Sequence, residues 1–462
     1  MPATQPTTSR PHNELPAIAR HALTVLAGQL AVMAFGVTDT VVAGRHSEVS
    51  LAALSVGSAV FISVYVALMG VLQSLLPVWA GLHGARRFED LGRSVRQALY
   101  ICAIACVLGM ALLLAPAPLL RWAEVPPALQ GEVLRYLGVL ALGLPPAMLF
   151  RIYSTLNQSL GRPLLVTWLQ LGSLAVKLPL TVWFALGGAG LPAMGAVGCA
   201  WATVLVNYLM LAIALWMLRT QPLYVPYRLW RRPEAPDLRQ LGLFARLGVP
   251  AGLSIMVEVT SFTLMALFIA RQGTVAAAAH QVAASMAAVL YMAPLSIAIA
   301  TSARVGYWLG AGDARQARHA VGVGLALAGL AALVLGGTVL VARDSIAALY
   351  SRQPAVVAMA GMLLGWVALY HLADALQCVC VFVLRCYRIT VSALLAYCLL
   401  LWGVGLGGGY WLAYHGGYGM GRWTSPAAFW TASAGALVLT ACTFLLMVRR
   451  AVRRSVATNQ KL

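Results

Sequence analysis

Three carboxylates lie where carboxylates are costly. Asp39, Glu258 and Asp374 fall inside long apolar runs, whereas the rest of the chain's 13 acidic residues sit in loops or near the ends of such runs. Around Glu258 no other charge occurs between Arg246 and Arg271. An acid at a bilayer centre costs roughly 2.5–3.5 kcal/mol on insertion scales, so each of the three needs a partner, a proton or a bound cation. Helical spacing puts Ser254, Glu258, Ser261 and Met265 on one face, and Tyr370, Asp374 and Gln377 on one face of another helix. If those faces meet, two acids, a phenol and an amide line one wet pocket. Such a pair of carboxyls holds a shared proton or offers oxygens to Na+, which suits a cation-coupling centre. A static bridge to a basic residue is the competing reading, and neither span carries a Lys or Arg at matching depth.

Asp39 stands apart. Gln170, Ser173, Lys177 and Thr181 form a polar stripe at helical spacing, and Lys177 is the one cation within an apolar run. Left alone, both would be unpaired charges, so Asp39, Lys177 and Thr181 are expected to form a first polar site by mutual pairing. Gln281, Met265, Met286 and Gln377 are candidates for lining a substrate cavity. His280 and His371 are read as local hydrogen-bonding groups rather than pH sensors. The eight cysteines all lie in or at the ends of apolar segments, which argues against a disulfide framework. Na+ at Glu258 and Asp374 is the one metal expected, and no cofactor is.

The elements that must position these groups follow from composition. The chain is 61% hydrophobic and 10% charged, against about 25% charged in soluble domains. This is an all-α integral membrane protein. Twelve apolar segments, at about 17–42, 50–78, 97–119, 131–155, 164–186, 193–218, 243–270, 277–308, 319–342, 355–384, 390–414 and 427–448, are long enough to span a bilayer. The net charge of +19 is distributed as a topology signal. With the N-terminus inside, basic residues from Arg10 to Lys461 crowd the cytoplasmic turns, including Arg385 and Arg388. The far side holds only Arg45, Arg121, Arg135, Arg271, Arg343, Arg352 and Arg422. That bias places both termini in the cytoplasm, in a plasma (inner) membrane protein, and removes nucleic acid as the reason for the charge. No signal-peptide pattern opens the chain.

Internal similarity divides the spans. Aligning Gly81 with Gly306 also aligns Ala52–Leu54 with Ala277–Ala279, an offset of 225 residues. Two six-helix bundles related by an internal pseudo-two-fold repeat are expected, with binding sites between them. The boundaries are a cytoplasmic tail at 1–16, a first lobe at 17–218, a linker at 219–242, a second lobe at 243–448 and a basic tail at 449–462. The linker's basic, proline-containing stretch, Thr220 to Arg239, reads as a solvated loop. Gly405, Gly407, Gly408 and Gly409 lack the Lys-Ser/Thr of a phosphate loop and read as a close helix contact. With no ATP signature, any pumping is driven by an ion gradient, in a chain expected to be a monomer and not an enzyme.

Several stretches together resemble the multidrug and toxic compound extrusion (MATE) family, in its NorM-like branch. They are P-x(7)-E-V-x-x-F at 250–262, A-A-H-Q-V-A at 278–283, P-L-S at 294–296, R-V-G-x-x-L-G-A-G-D at 304–313, V-x-D-T-V-x-A-G at 37–44 and Y-x-x-x-D-x-x-Q at 370–377. The resemblance implies a twelve-helix, V-shaped antiporter exporting amphipathic, often cationic compounds in exchange for Na+ or H+. By position it implies Glu258, Asp374 and Tyr370 as the second-lobe cation site and Asp39 as the first-lobe acid. One departure bears on this: the family's fifth span commonly reads N-x-P-x-N, and here Lys177 to Thr181 reads K-L-P-L-T. A tethered ammonium replaces an amide, which moves cation coupling to the second lobe. Two alternatives compete. A lipid-linked-precursor flippase would want a basic central cavity, and a membrane-embedded transferase would want clustered His, Asp or Arg at one interface.

Overall fold

The computed structural model describes residues 13–116, 126–188, 190–232, 234–416, 421 and 423–459. Arg10, Arg121, Arg422 and Lys461, used above to orient the chain, lie outside the described residues. Twelve helices among them are long and apolar enough to cross a membrane: α1 (Glu14–His46), α2 (Glu48–Gly84), α3 (Phe88–Leu114), α4 (Leu129–Ser159), α5 (Pro163–Leu186), α6 (Gly195–Thr220), α7 (Leu238–Ala270), α8 (Thr274–Gly310), α9 (Ala314–Tyr350), α10 (Pro354–Cys386), α11 (Val391–Tyr414) and α12 (Pro426–Ala457). Helix starts are fixed where a side-chain oxygen accepts from the free backbone N–H groups of the first turn. Ser47 caps α2 through Ser50 N at 3.0 Å, Asp237 caps α7 through Arg239 N at 3.1 Å, and Asp313 caps α9 through Gln316 N at 2.9 Å.

Several helices outrun the apolar segments that announced them, because a helix does not end where hydrophobicity ends. α3 starts at Phe88 and carries Arg93 and Arg96, while the expected basic tail from 449 is a continuation of α12. The expected tail at 1–16 likewise gives up Glu14 to α1, where it is fully buried. Within α11, Cys398–Gly407 winds as a π-helix. Widening there coincides with the glycine run, and Gly409 packs directly on Phe429.

The repeat is visible where the two halves meet. Gly81 and Gly306, aligned by the offset of 225, face each other backbone to backbone. Residues related by a two-fold axis touch in this way only when they sit beside that axis. A Cβ at Gly84 would overlap the backbone of Tyr307, and one at Gly310 would overlap Gly81, so glycine is what lets the helices approach. Further from the axis, Gly70 meets Gly252 and Gly248 meets Val71. Ile18, Ala22, Val25 and Leu76 of the first half join the core of the second. These contacts all lie toward the end of the bundle that carries the chain termini. A second cluster of the second lobe, running from Met265 to Trp430 toward the other end, has no first-lobe member. The lobes are therefore closed together at the termini end.

The linker is largely exposed, as its charge suggested, but it is pinned to α3 rather than free. Pro222–Tyr227 forms a 3-10 turn with Tyr224 and Tyr227 buried. Arg96 on α3 donates to Glu234 at 2.6 Å and to the Arg228 carbonyl at 2.7 Å, and Tyr100 donates to the Glu234 carbonyl at 2.8 Å. Gln97 bonds the backbone of Ala235 and Asp237. The Arg96 guanidinium holds the Glu234 carboxyl below the usual glutamate range. Two tyrosines among the arginines were the signal that this segment packs.

Candidate functional site

Asp39 and Lys177 come from the first and fifth helices, which pack side by side in the first lobe. Lys177 is fully buried; its Nζ lies 3.0 Å from Asp39 Oδ2 and also donates to Thr203 Oγ1. Thr181 donates to the other carboxylate oxygen at 3.4 Å, and the Phe35 ring lies 5.4 Å from the ammonium. Both carboxylate oxygens and the cation are thus accounted for within the protein. Gln170 and Ser173 complete a buried stripe one and two turns along α5.

In the second lobe, Glu258 lines a narrow cavity with Ser261, Phe262, Met265, Tyr370, Leu401, Gly405, Ser433 and Leu437. The expected face of α7 and the expected face of α10 meet there. Asp374, Tyr291 and Gln377 stand around the Glu258 carboxyl. Asp374 is 1% exposed and lies behind the cavity wall, and it accepts from Gln377 Nε2 at 3.1 Å. The Gln377 oxygen in turn accepts from the Tyr397 hydroxyl. Tyr370 closes an aromatic cluster with Phe262 and Trp430, edge to face at 6.3 and 6.0 Å. Among the described residues, neither carboxyl forms an ion pair within 4 Å with Lys, Arg or His. Every residue of this cavity belongs to the second lobe, so the carboxylate site is inside one bundle rather than between the two.

The remaining candidates scatter. Met265 is buried in the cavity wall, where Ser433 donates to its sulfur at 3.6 Å. Gln377 serves Asp374 and Tyr397 and does not face the cavity. Met286 packs in the second-lobe core, and Gln281 is exposed. Ser254 turns back to the Pro250 carbonyl at 2.8 Å. His280 leans on Trp430, and His371 is buried; each has one ring nitrogen without a hydrogen-bond partner.

The sequence reading missed four participants. Tyr291, Tyr397 and Trp430 come from three other helices, and only the fold brings them in. Arg385 is different. It was counted with the solvated basic turns, but it is 4% exposed within α10. It follows Asp374 by 11 residues, three helical turns, so it returns to the same face, and that spacing was legible. The expectation that neither span carries a Lys or Arg at matching depth is corrected: Arg385 is buried on α10 and its charge acts on Glu258.

A family model, MatE, matches residues 25–183 and again 250–411, two copies separated by the repeat offset. The chain belongs to the MatE family. Among relatives of this MatE protein is the probable multidrug resistance protein NorM of Aromatoleum aromaticum, 40% identical over 94% of each chain. Multidrug resistance protein PmpM of Pseudomonas aeruginosa is 34% identical over 97% of this chain and 94% of its own. A MATE crystal structure in the straight conformation superposes with a TM-score of 0.87 at 16% identity, covering 97% of this chain and 98% of that one. The fold of this MatE protein, twelve helices in two six-helix repeats, is shared with that solved structure.

Proposed function

We propose that the chain is a multidrug efflux transporter that exports small amphipathic, often cationic compounds against an inward flow of Na+ or H+. The observation that carries this is the asymmetry of the buried acids. Asp39 is saturated by Lys177 and Thr181, whereas Glu258 faces a cavity with Asp374 beside it and no basic group bonded to either. Two adjacent carboxyls in a low-dielectric site favour taking up a proton or a cation, and a drug cation satisfies the same demand. Tyr370 supports that role from the cavity wall. Closure of the lobes at the termini end supports alternating access, with the two bundles rocking about the glycine contacts of α2, α7 and α8. The termini face the cytoplasm of a plasma membrane in this reading, and the protein works as a monomer without a cofactor.

The test is efflux of a fluorescent cationic compound from proteoliposomes, with a sodium gradient and a pH gradient imposed separately. Glu258→Gln and Asp374→Asn each abolish gradient-driven transport while the protein remains folded and inserted. Normal efflux by both variants would remove the proposal. The gradient that drives the wild type identifies the ion.

A further inference from the structure

A second cavity, of about 420 Å³, lies between the lobes at the termini end. Its walls come from α2, α3, α7, α8 and α10, so it is shared by both bundles. Three arginines line it, Arg87, Arg385 and Arg388, together with Gln240, and none of its lining residues is acidic. Arg87 is partly satisfied by Asp90 at 2.7 Å on the exposed rim. Arg385 is the unusual member. Its Cζ stacks 4.3 Å from the centre of the Phe382 ring, yet its Nε and Nη1 are buried with no hydrogen-bond partner. Leaving two buried donors of a charged group unmade is expensive, and among the described residues no acid bonds to them; the Glu258 carboxyl acts on Arg385 only through its charge.

We propose that this cavity binds a phosphate-bearing anion. A guanidinium presents a planar fork of donors that matches phosphate oxygens in pairs, and Arg388 at the mouth adds a second positive charge. Apart from Ser94 the rest of the lining is apolar, including Leu243 and Phe244, and suits the glycerol or short hydrocarbon part of a larger anion. Because the walls belong to both lobes, an anion seated here holds the termini end closed. The site differs from the transport site in its cavity and in the charge of its ligand, although Arg385 also feels the charge of Glu258.

The test uses the full chain in neutral detergent, following thermal unfolding during titration with inorganic phosphate, dihexanoyl-phosphatidylglycerol or dihexanoyl-phosphatidylcholine. At least one of the two anions raises the unfolding midpoint saturably, and Arg385→Gln weakens that affinity about tenfold or more. Saturation by phosphate identifies a free phosphate compound as the ligand class; saturation by phosphatidylglycerol alone identifies a lipid headgroup. Arg388→Gln, at an exposed position, weakens the same affinity and serves if Arg385→Gln does not fold. Arg315→Gln, on another basic surface, leaves it unchanged. The proposal is overturned if neither anion saturates, if phosphatidylcholine binds as tightly, or if affinity is unaltered in both Arg385→Gln and Arg388→Gln.

Discussion

Asp39 of the first lobe, buried, and Glu258 of the second, half-buried at a cavity, are both acids on the opening helix of their repeat, yet their surroundings have diverged. At the repeat offset of 225, Lys177 corresponds to Trp402. Lys177 reaches from α5 to Asp39 on α1; Trp402 reaches from α11 to the Val257 carbonyl on α7, one residue before Glu258, at 3.2 Å. An ammonium consumes a carboxylate in one lobe, while in the other an indole bonds a backbone carbonyl and leaves the carboxylate free. The acids are not repeat-equivalent, since the offset sets Asp39 on Leu264 and Glu258 on Met33; duplication supplies the scaffold, and the acid's place on the opening helix together with the fifth-helix residue separates a structural acid from an available one.

The largest expected effect breaks the first of these ties. Lys177→Met strands Asp39 as a buried, unpaired acid and destabilises the first lobe by about 3–5 kcal/mol. The double variant Lys177→Met with Asp39→Asn removes both charges and recovers most of that stability. Thermal unfolding of the purified protein reads both. If Lys177→Met is neutral, Asp39 takes its cation from solution and the contrast between lobes fails.

Next comes the gap between the two halves of the bundle. Glu14 accepts from Arg304 Nε at 2.8 Å, from Arg304 Nη2 at 2.6 Å and from Trp308 Nε1 at 2.9 Å, joining α1 of one lobe to α8 of the other. Arg304→Gln loses two charge-assisted bonds and shifts the balance by about 1.5–3 kcal/mol away from the state closed at the termini end. Cysteine-accessibility labelling at that end rises in the variant, while unfolding of each lobe changes little. In the second lobe, Gln377→Leu removes the donor to Asp374 and the acceptor for Tyr397. It costs about 1–3 kcal/mol, less than Lys177→Met, but reduces gradient-driven efflux more. That inversion of the stability and transport rankings is what the comparison requires.

How much of this was legible depends on whether the information is local. Helix number, the repeat and the three acids announce themselves through apolar runs, spacing and the cost of an isolated charge. The pairing of Asp39 with Lys177 was accessible because each lacked any other partner in its lobe. Tyr291, Tyr397 and Trp430 carry no local mark; an aromatic in an apolar helix looks like packing until the fold sets it beside a carboxylate. Arg385 shows the opposite failure. Its type was read as a solvated turn because Arg388 and the helix end follow, although its spacing from Asp374 placed it on the buried face. Glu14 was lost the same way, by letting hydropathy end a helix that continues.

The smallest effect separates the lobes at their third helices. The linker ties down α3 through Arg96 and Glu234, while α9, its repeat counterpart, begins with Arg315, Arg318 and His319 beside an open groove. Glu234 is held below the usual glutamate range by Arg96, so its contribution is present above that range and is lost as pH falls through the lowered value. The pair is partly exposed and is worth about 0.2–1 kcal/mol. Hydrogen-exchange protection of the amides across 222–237, relative to their intrinsic exchange rate at each pH, therefore holds from neutral pH down to the ordinary glutamate range and falls only in stronger acid. In Glu234→Gln protection is lower at neutral pH already and that acid step is lost. Protection at the start of α9 is unchanged in both cases. A matching acid step in α9 would mean that the two lobes respond as one body and that the linker tie is not specific to the first.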